Sequence, residues 1–280
     1  MKKTTKPYKK ATKIKRPSDM FGNVPKWAKP RPIAEYEKYI IAFSYGKDSL
    51  ATLLWALKHL EKEKIVVIYN DTGINHDLRG YKEYLENELK ITIHHTNLPG
   101  PDFFEQCKIQ GLPSDAYRWC TPYLKLNPNK EWMKKNRYYW SQEIPYLSLT
   151  GCRKEESVRR RSYFPFAFSD ELCISEYRPL LEWSEREVYL FIKSHKIKLH
   201  PMYKYFTRLS CACCPIASKN EILSVSVLNN KLFEKCCKLE NDIGEYWFDK
   251  PLTELIKKWD GKLPRNQNIK KFYKEGCFIS

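Results

Sequence analysis

Six consecutive residues, Ser44-Tyr45-Gly46-Lys47-Asp48-Ser49, set hydroxyls, a glycine, a lysine and a carboxylate between an apolar run and a helical repeat. That order suits an anion. Free backbone N–H groups and the positive end of a helix dipole face whatever sits at the turn, and Lys47 adds a full charge. The GxxxxGK[ST] pattern of ordinary phosphate loops is absent, so that chemistry is not indicated. A second set, Gly151-Cys152-Arg153-Lys154-Glu155-Glu156-Ser157-Val158-Arg159-Arg160-Arg161, offers several guanidiniums on one turn. Such groups make forked bonds to phosphate or sulfate, although an isolated run of this kind is more often a solvated charged face. The third set is thiol. Cys211 and Cys214 have C-x-x-C spacing before Pro215, and Cys120 brings the number to three. A structural zinc or iron–sulfur site wants about four ligands. The fourth is Cys213, Cys152, Cys236 or Cys237, and spacing does not choose among them.

These groups need elements to hold them. The apolar run 39–43 predicts a buried strand, and Leu50, Leu53, Leu54, Leu57 and Leu60 predict a helix reaching about residue 61. A second run, 65–69, ends at the polar turn Asn70-Asp71-Thr72-Gly73. A helix over 76–89 and a strand over 91–95 are expected next, then an irregular stretch with a helix near 126–136. A strand over 146–150 delivers the arginine-rich block. Ser184-Glu185-Arg186-Glu187 is a capping box opening a helix with Val188, Phe191 and Ile192 on one side. Alternating strands and helices predict an α/β fold, a doubly wound and mainly parallel sheet of about five strands with its ligand beyond the strands' carboxyl ends. Three regions follow from composition and periodicity: a basic flexible tail over 1–32, an α/β domain over 33–205, and a Cys-rich helical region over 206–280.

The formal charge is +17, from 50 basic and 33 acidic residues. Residues 1–32 hold 11 Lys or Arg and one acidic residue, Asp19. A solvated tail and a polyanion-binding tail are equally good readings of that charge, and the polyanion would be nucleic acid. Tyr138, Tyr139 and Trp140, after Lys134, Lys135 and Arg137, suit base stacking and core packing alike. No apolar run approaches the roughly 20 residues of a membrane helix, and the Lys-rich start lacks an apolar h-region, so a cytoplasmic location is expected. Ten cysteines without an export signal predict free thiols rather than a disulfide framework. The six histidines show no ligand or triad spacing.

Five blocks in order resemble the phosphoadenosine phosphosulfate reductase family of the PP-loop, adenine nucleotide alpha-hydrolase-like superfamily. Ser44 to Ser49 is similar to its SGGKDS loop, and Asp71-Thr72-Gly73-Ile74 to its DTG strand end. Arg118-Trp119-Cys120-Thr121-Pro122-Tyr123-Leu124-Lys125 resembles the RWCT-x-x-LK segment, and Gly151 to Arg161 the G-x-R-x-x-ES-x-x-R block. Pro179-Leu180-Leu181-Glu182-Trp183, then Cys211-Ala212-Cys213-Cys214-Pro215, resemble the late P-[LI]-x-x-W and C-x-x-C-P segments. The likeness covers roughly 36–245.

The resemblance implies a nucleotide site built from Ser44, Tyr45, Gly46, Lys47, Asp48, Ser49, Asp71, Thr72, Gly73 and Gly151. It implies ATP with Mg²⁺ as the bound species and adenine recognition by backbone near Asp71–Ile74. Lys47, Asp48, Arg153 and Arg160 are the implied catalytic groups. Cys120, Cys211 and Cys214, with Cys213 or Cys152, are implied to hold a [4Fe-4S] cluster or Zn²⁺. Two departures steer the activity. The terminal segment Lys274-Glu275-Gly276-Cys277-Phe278 exchanges the Gly and Cys of the reductases' ECG[IL]H motif, while Lys47-Asp48-Ser49, which the reductases tend to lose, is retained. The expectation is therefore cleavage of ATP between its α and β phosphates to activate an acceptor in sulfur metabolism or nucleic-acid sulfur modification, with a sulfur-donor protein as partner. An adenylyl-sulfate reductase and a nucleic-acid-binding zinc module with a vestigial loop are the alternatives.

Overall fold

The strand β1 (Lys38–Phe43) lies inside a six-stranded sheet of order β3-β2-β1-β4-β6-β5. In this computed structural model the described residues are 31–78, 80–96, 100–136, 146–169, 172, 174–209 and 211–272. Residues 1–30 of the expected tail, the Arg137 to Trp140 cluster, Cys173 and the segment with Cys277 lie outside them. Ile41 of β1 pairs in parallel with Val67 of β2 (Ile65–Asn70) and with Leu149 of β4 (Tyr146–Leu149). β3 (Ile93–Thr96) extends the sheet beyond β2. Side chains alternate across it. Tyr39, Ile41, Phe43, Val67 and Tyr69 enter one core, while Ile40, Val66 and Ile68 enter another with Met133 and Ile174. Both faces are covered, as a parallel sheet requires.

The chain order fixes where a ligand can go. From β1 it runs through α1 (Lys47–His59) to β2, then through α2 (Tyr81–Leu89) to β3. It then crosses back, through α3 (Phe103–Gln110) and α4 (Asn127–Lys135), to β4 on the far side of β1. Strand order reverses between β1 and β4, and the loops leaving their carboxyl ends part there to form a crevice. The six-residue turn and the Gly151–Arg161 block flank that crevice.

Two elements differ from the sequence reading. The helix expected over 76–89 begins only at Tyr81, after Gly80 at φ 77°. Residues before it are committed elsewhere: Asp71 Oδ1 accepts from Gly73 N and Asn75 Nδ2, and Asp77 O meets His200 Nε2. The sheet also has six strands rather than five. After α5 (Val158–Arg161), β5 (Phe166–Ser169) and β6 (Ile174–Tyr177) form an antiparallel pair, and β6 runs parallel to β4. Each is four residues with polar members, too short for periodicity to announce. Pairing of β6 with β4, and of β5 with β6, fixes them.

The capping box at Ser184 opens α6 (Glu185–Ser194) as expected, with Ser184 Oγ accepting from Glu187 N at 3.3 Å. Beyond it, α7 (Lys219–Leu228), α8 (Asn230–Ile243) and α9 (Leu252–Leu255) share a core with Ile74, Phe103 and Trp119. Glu240 is 1% exposed in that core and accepts the backbone N–H groups of Trp247 and Leu252. The last element is α10 (Gln267–Phe272). The eight cysteines among the described residues are free. Among those residues no helix is long and apolar enough to cross a membrane.

Candidate nucleotide-binding site

α1 begins at Lys47, with Gly46 as its N-cap, a residue that has no side chain to cap the helix itself. The hydroxyls of Ser44 and Ser49 sit 3.1 Å apart, and Ser49 Oγ also donates to Gly46 O. Both serines therefore stand at one lip of the turn. Tyr45 holds the turn's shape. It sits at φ 59°, a left-handed conformation that costs a non-glycine residue roughly 1–2 kcal/mol. Its ring is fully buried against Phe43 and Tyr69, and its hydroxyl meets His95 Nε2 at 2.8 Å. Burying an aromatic ring stabilises by about 1.5–3 kcal/mol, enough to offset the strain. The turn is thereby tied across the sheet to β3.

Lys47 is 3% exposed, an unusual place for an ammonium. Its Nζ donates to Thr207 O at 3.0 Å and pairs with Asp48 at 3.3 Å and Glu185 at 3.2 Å. The rings of Tyr189 and Tyr203 lie 5.9 and 6.0 Å away. Burial opposes the charge, but Asp48, Tyr189 and Glu185 outweigh it and hold the ammonium's pKa above its ordinary value. The backbone N–H of Lys47 donates to Tyr203 Oη at 2.6 Å.

Arg153 closes the other side of the crevice. It is 4% exposed, and its Nε donates to Asp48 Oδ1 at 2.6 Å while an NH1 donates to Glu155 Oε2 at 2.6 Å. Gly151 lets the strand end approach this closely, since a Cβ there would lie 2.6 Å from Asp48 O. Arg160 goes elsewhere. Its guanidinium pairs with Glu156, one turn away, and it neighbours Cys152 rather than the serines. The structure thus brings Ser44 through Ser49, Gly151 and Arg153 together and leaves Arg160 apart.

Asp71 and Gly73 border an open cleft of about 400 Å³ with Tyr69, Asn75, His76, Lys82 and His95. It lies at the carboxyl ends of β2 and β3, on the same sheet edge as the six-residue turn. Asp71 is exposed there, whereas Asp48 is committed to Arg153 and Lys47. Mg²⁺ is usually held by one or two carboxylates plus substrate phosphates, and Asp71 meets that requirement more directly than Asp48. His76 also lines the cleft. Burial, with His200 adding, pushes its pKa down to about 4. A histidine depressed from 6.5 gives stability that is present above that value and lost as pH falls toward about 4. Urea denaturation is therefore expected to show stability falling across that window, with a shallower fall in His76→Gln. An equal slope in both proteins would reject the assignment.

The thiols converge only in part. Cys120, Cys211 and Cys214 line one cavity of about 80 Å³ with Thr72, Ile74, Arg118 and Lys125. Thr72 Oγ1 lies 3.4 Å from Cys211 Sγ. Cys211 beside it raises the pKa of Lys125 above its usual range, while burial opposes this. Neither Cys213 nor Cys152 joins them. Cys213 is fully buried and hydrogen-bonds Cys236, and Cys152 sits by Arg178 and Arg160. Among the described residues no three His, Cys, Asp or Glu side chains are grouped to hold a metal ion. The donor set stops short of the four that zinc or an iron–sulfur cluster wants, so this set does not fit that centre.

Several site residues carried no sequence signal of this role. Glu185 was visible only as the residue between the two partners of a capping box, Ser184 and Glu187, and Tyr203 and Thr207 lie about 160 positions from Lys47. His95 stood at a strand end with nothing to tie it to Tyr45.

The profile of the phosphoadenosine phosphosulfate reductase domain matches residues 38–217. An uncharacterized protein of Methanocaldococcus jannaschii is 31% identical over 239 residues, 78% of this chain and 46% of that protein. A second protein of that organism is 28% identical over 232 residues, 82% of this chain and 54% of its own. The chain spans about half the length of these curated relatives. Among solved structures, phosphoadenylyl-sulfate reductase of Candida auris, in a phosphate complex, aligns at 16% identity and TM-score 0.42. It covers 59% of this chain and 76% of its own.

Proposed function

This chain belongs to the phosphoadenosine phosphosulfate reductase domain family, and from that premise we propose that it cleaves ATP between the α and β phosphates and passes the adenylyl group to an acceptor. The observation that carries this reading is the Ser44–Ser49 turn at the β1/β4 switch point with Arg153 facing it. The two serine hydroxyls and the backbone around Gly46 would grip the departing pyrophosphate, and Lys47 would supply charge as the α–β bond breaks. Arg153 keeps Asp48 away from the phosphates and presents its own charge toward the α phosphate. Asp71 is the carboxylate that would hold the nucleotide's Mg²⁺, which would neutralise phosphate charge. The cleft beside Asp71 and Gly73 would take the adenosine.

The acceptor in this reading is a nucleic acid, drawn by the chain's positive charge, and sulfur comes from a partner protein to the cavity of Cys120, Cys211 and Cys214. Incubating the protein with ATP and Mg²⁺ is expected to release AMP and pyrophosphate. Lys47→Ala and Ser49→Ala are each expected to cut the rate at least about 100-fold, the scale of removing one transition-state donor. Turnover that survives both substitutions ends the catalytic assignment. The three thiols beside the Asp71 turn favour a second reading, reduction of an adenylyl sulfate. Release of sulfite from that substrate, without ATP cleavage, would select it.

A further inference from the structure

The groups that should receive phosphate are already occupied by the chain itself. Residues 200–209 run as a strap across the start of α1. Tyr203 Oη takes the first helical N–H, of Lys47, at 2.6 Å, and Thr207 O takes the ammonium at 3.0 Å. Leu209 O and Tyr203 Oη each lie 3.5 Å from where a Cβ of Gly46 would project, so the strap packs directly on the turn. Glu185, at the first position of α6, supplies a carboxylate to Lys47 at 3.2 Å. Its other oxygen accepts from Asn268 Nδ2 at 2.7 Å. A hydroxyl oxygen on a helix-start N–H and a carboxylate on its lysine are the contacts that a phosphate would make there.

Asn266 holds the middle of the strap from outside. Asn266 is 3% exposed, and its Nδ2 donates to Tyr203 O at 3.0 Å and Phe206 O at 2.8 Å, while its N donates to Lys204 O. Tyr203 is itself 1% exposed, so its hydroxyl cannot exchange Lys47 N–H for water without the strap moving. The carboxylates also set the charge. Lys47 and Arg153 face Asp48, Glu155 and Glu185, leaving no excess of positive charge for an anion to meet.

We propose that Glu185 and Tyr203 are positioning residues that compete with the nucleotide's phosphates for Lys47, so that nucleotide binding exchanges the strap's contacts for its own. This rests on the reading of the turn as a phosphate site. An anion entering between Ser44 and Ser49 gains the Lys47 N–H as Tyr203 withdraws and the ammonium as Glu185 is released. Asn266 sets how readily the strap lifts. The nucleotide's affinity then depends on residues that do not touch it.

Binding of inorganic pyrophosphate, measured by calorimetry on the full chain, tests this. Glu185→Gln and Tyr203→Phe each remove one competitor and are each expected to bind pyrophosphate about tenfold tighter than the wild type. Equal or weaker binding in both variants, with clear binding by the wild type, overturns the competition and leaves the phosphate site standing. No binding by any of the three proteins overturns both readings. The wild type alone gives a second measurement that does not depend on the variants folding. Amide hydrogen exchange over 203–209 is expected to speed up when pyrophosphate is added, and slower or unchanged exchange in the bound protein rejects the exchange of contacts.

Discussion

Gly151→Ala is expected to lower stability by about 3 kcal/mol, the upper end for overpacking. The new methyl would sit 2.6 Å from Asp48 O, 2.7 Å from Asp48 C and 2.8 Å from Thr52 Oγ1. Carbon atoms settle at roughly 3.5–4.0 Å. None of the three neighbours can swing aside. Two are backbone atoms of the first turn of α1, and Thr52 Oγ1 is fixed by donating to Asp48 O at 2.9 Å. Relief requires the start of α1 to move off β4, which also moves Lys47, Asp48 and Ser49. Urea denaturation should show the lost stability, and calorimetry a matching loss of pyrophosphate affinity. Gly46→Ala is the control. Its methyl would meet Ser44 Oγ at 3.2 Å, a hydroxyl that can rotate, so a cost under about 1 kcal/mol is expected. Similar costs at the two glycines would sink the argument.

Arg153→Met is expected to cost about 3 kcal/mol, because removing one member of a buried ion pair leaves the other uncompensated. Arg153 is 4% exposed, and its side chain bridges Asp48 and Glu155. Without it Asp48 retains only Lys47, and its negative charge faces the crevice meant for phosphate. Arg153→Lys is not expected to rescue, since one ammonium cannot reproduce a fork aimed at two carboxylates. Adding Asp48→Asn to Arg153→Met should recover part of the loss, giving a coupling of about 1–3 kcal/mol in a double-mutant cycle. Denaturation of the two single variants and the double variant measures it. Additive losses would mean that the pair does not act as a unit. ATP turnover is expected to stay low in all three.

How far the sequence carried differs between elements. The strands β1 and β2 and the helices α1 and α6 were legible because each has a long apolar pattern or a capping box, and β4 because its residues Leu147 to Leu149 are buried and lead into a glycine turn. β5 and β6 were not. They are four residues each; β6 pairs with β4, which ends 25 positions before it begins, and β5 pairs only with β6. The helix expected from 76 failed until Gly80 because residues 71–78 hydrogen-bond to one another and to His200, a demand no local pattern records.

The candidate site divides in the same way. The sequence by itself determined that Ser44 to Ser49 closes a strand and opens a helix, and that Arg153 and the Asp71 turn follow strands. Those statements need only short-range chemistry and the rule that parallel strands end on one edge. Tertiary structure decided which of those side chains meet. It joined Arg153 to Asp48 and sent Arg160 to Glu156, although the two arginines share one short block. It gathered Cys120, Cys211 and Cys214 while turning Cys213 toward Cys236. It also enclosed Lys47 between Glu185, Tyr203 and Thr207, which no spacing relates to the turn. A side chain's partner is set by the three-dimensional path of distant segments, and the energy of a buried charge depends on that partner more than on its own identity.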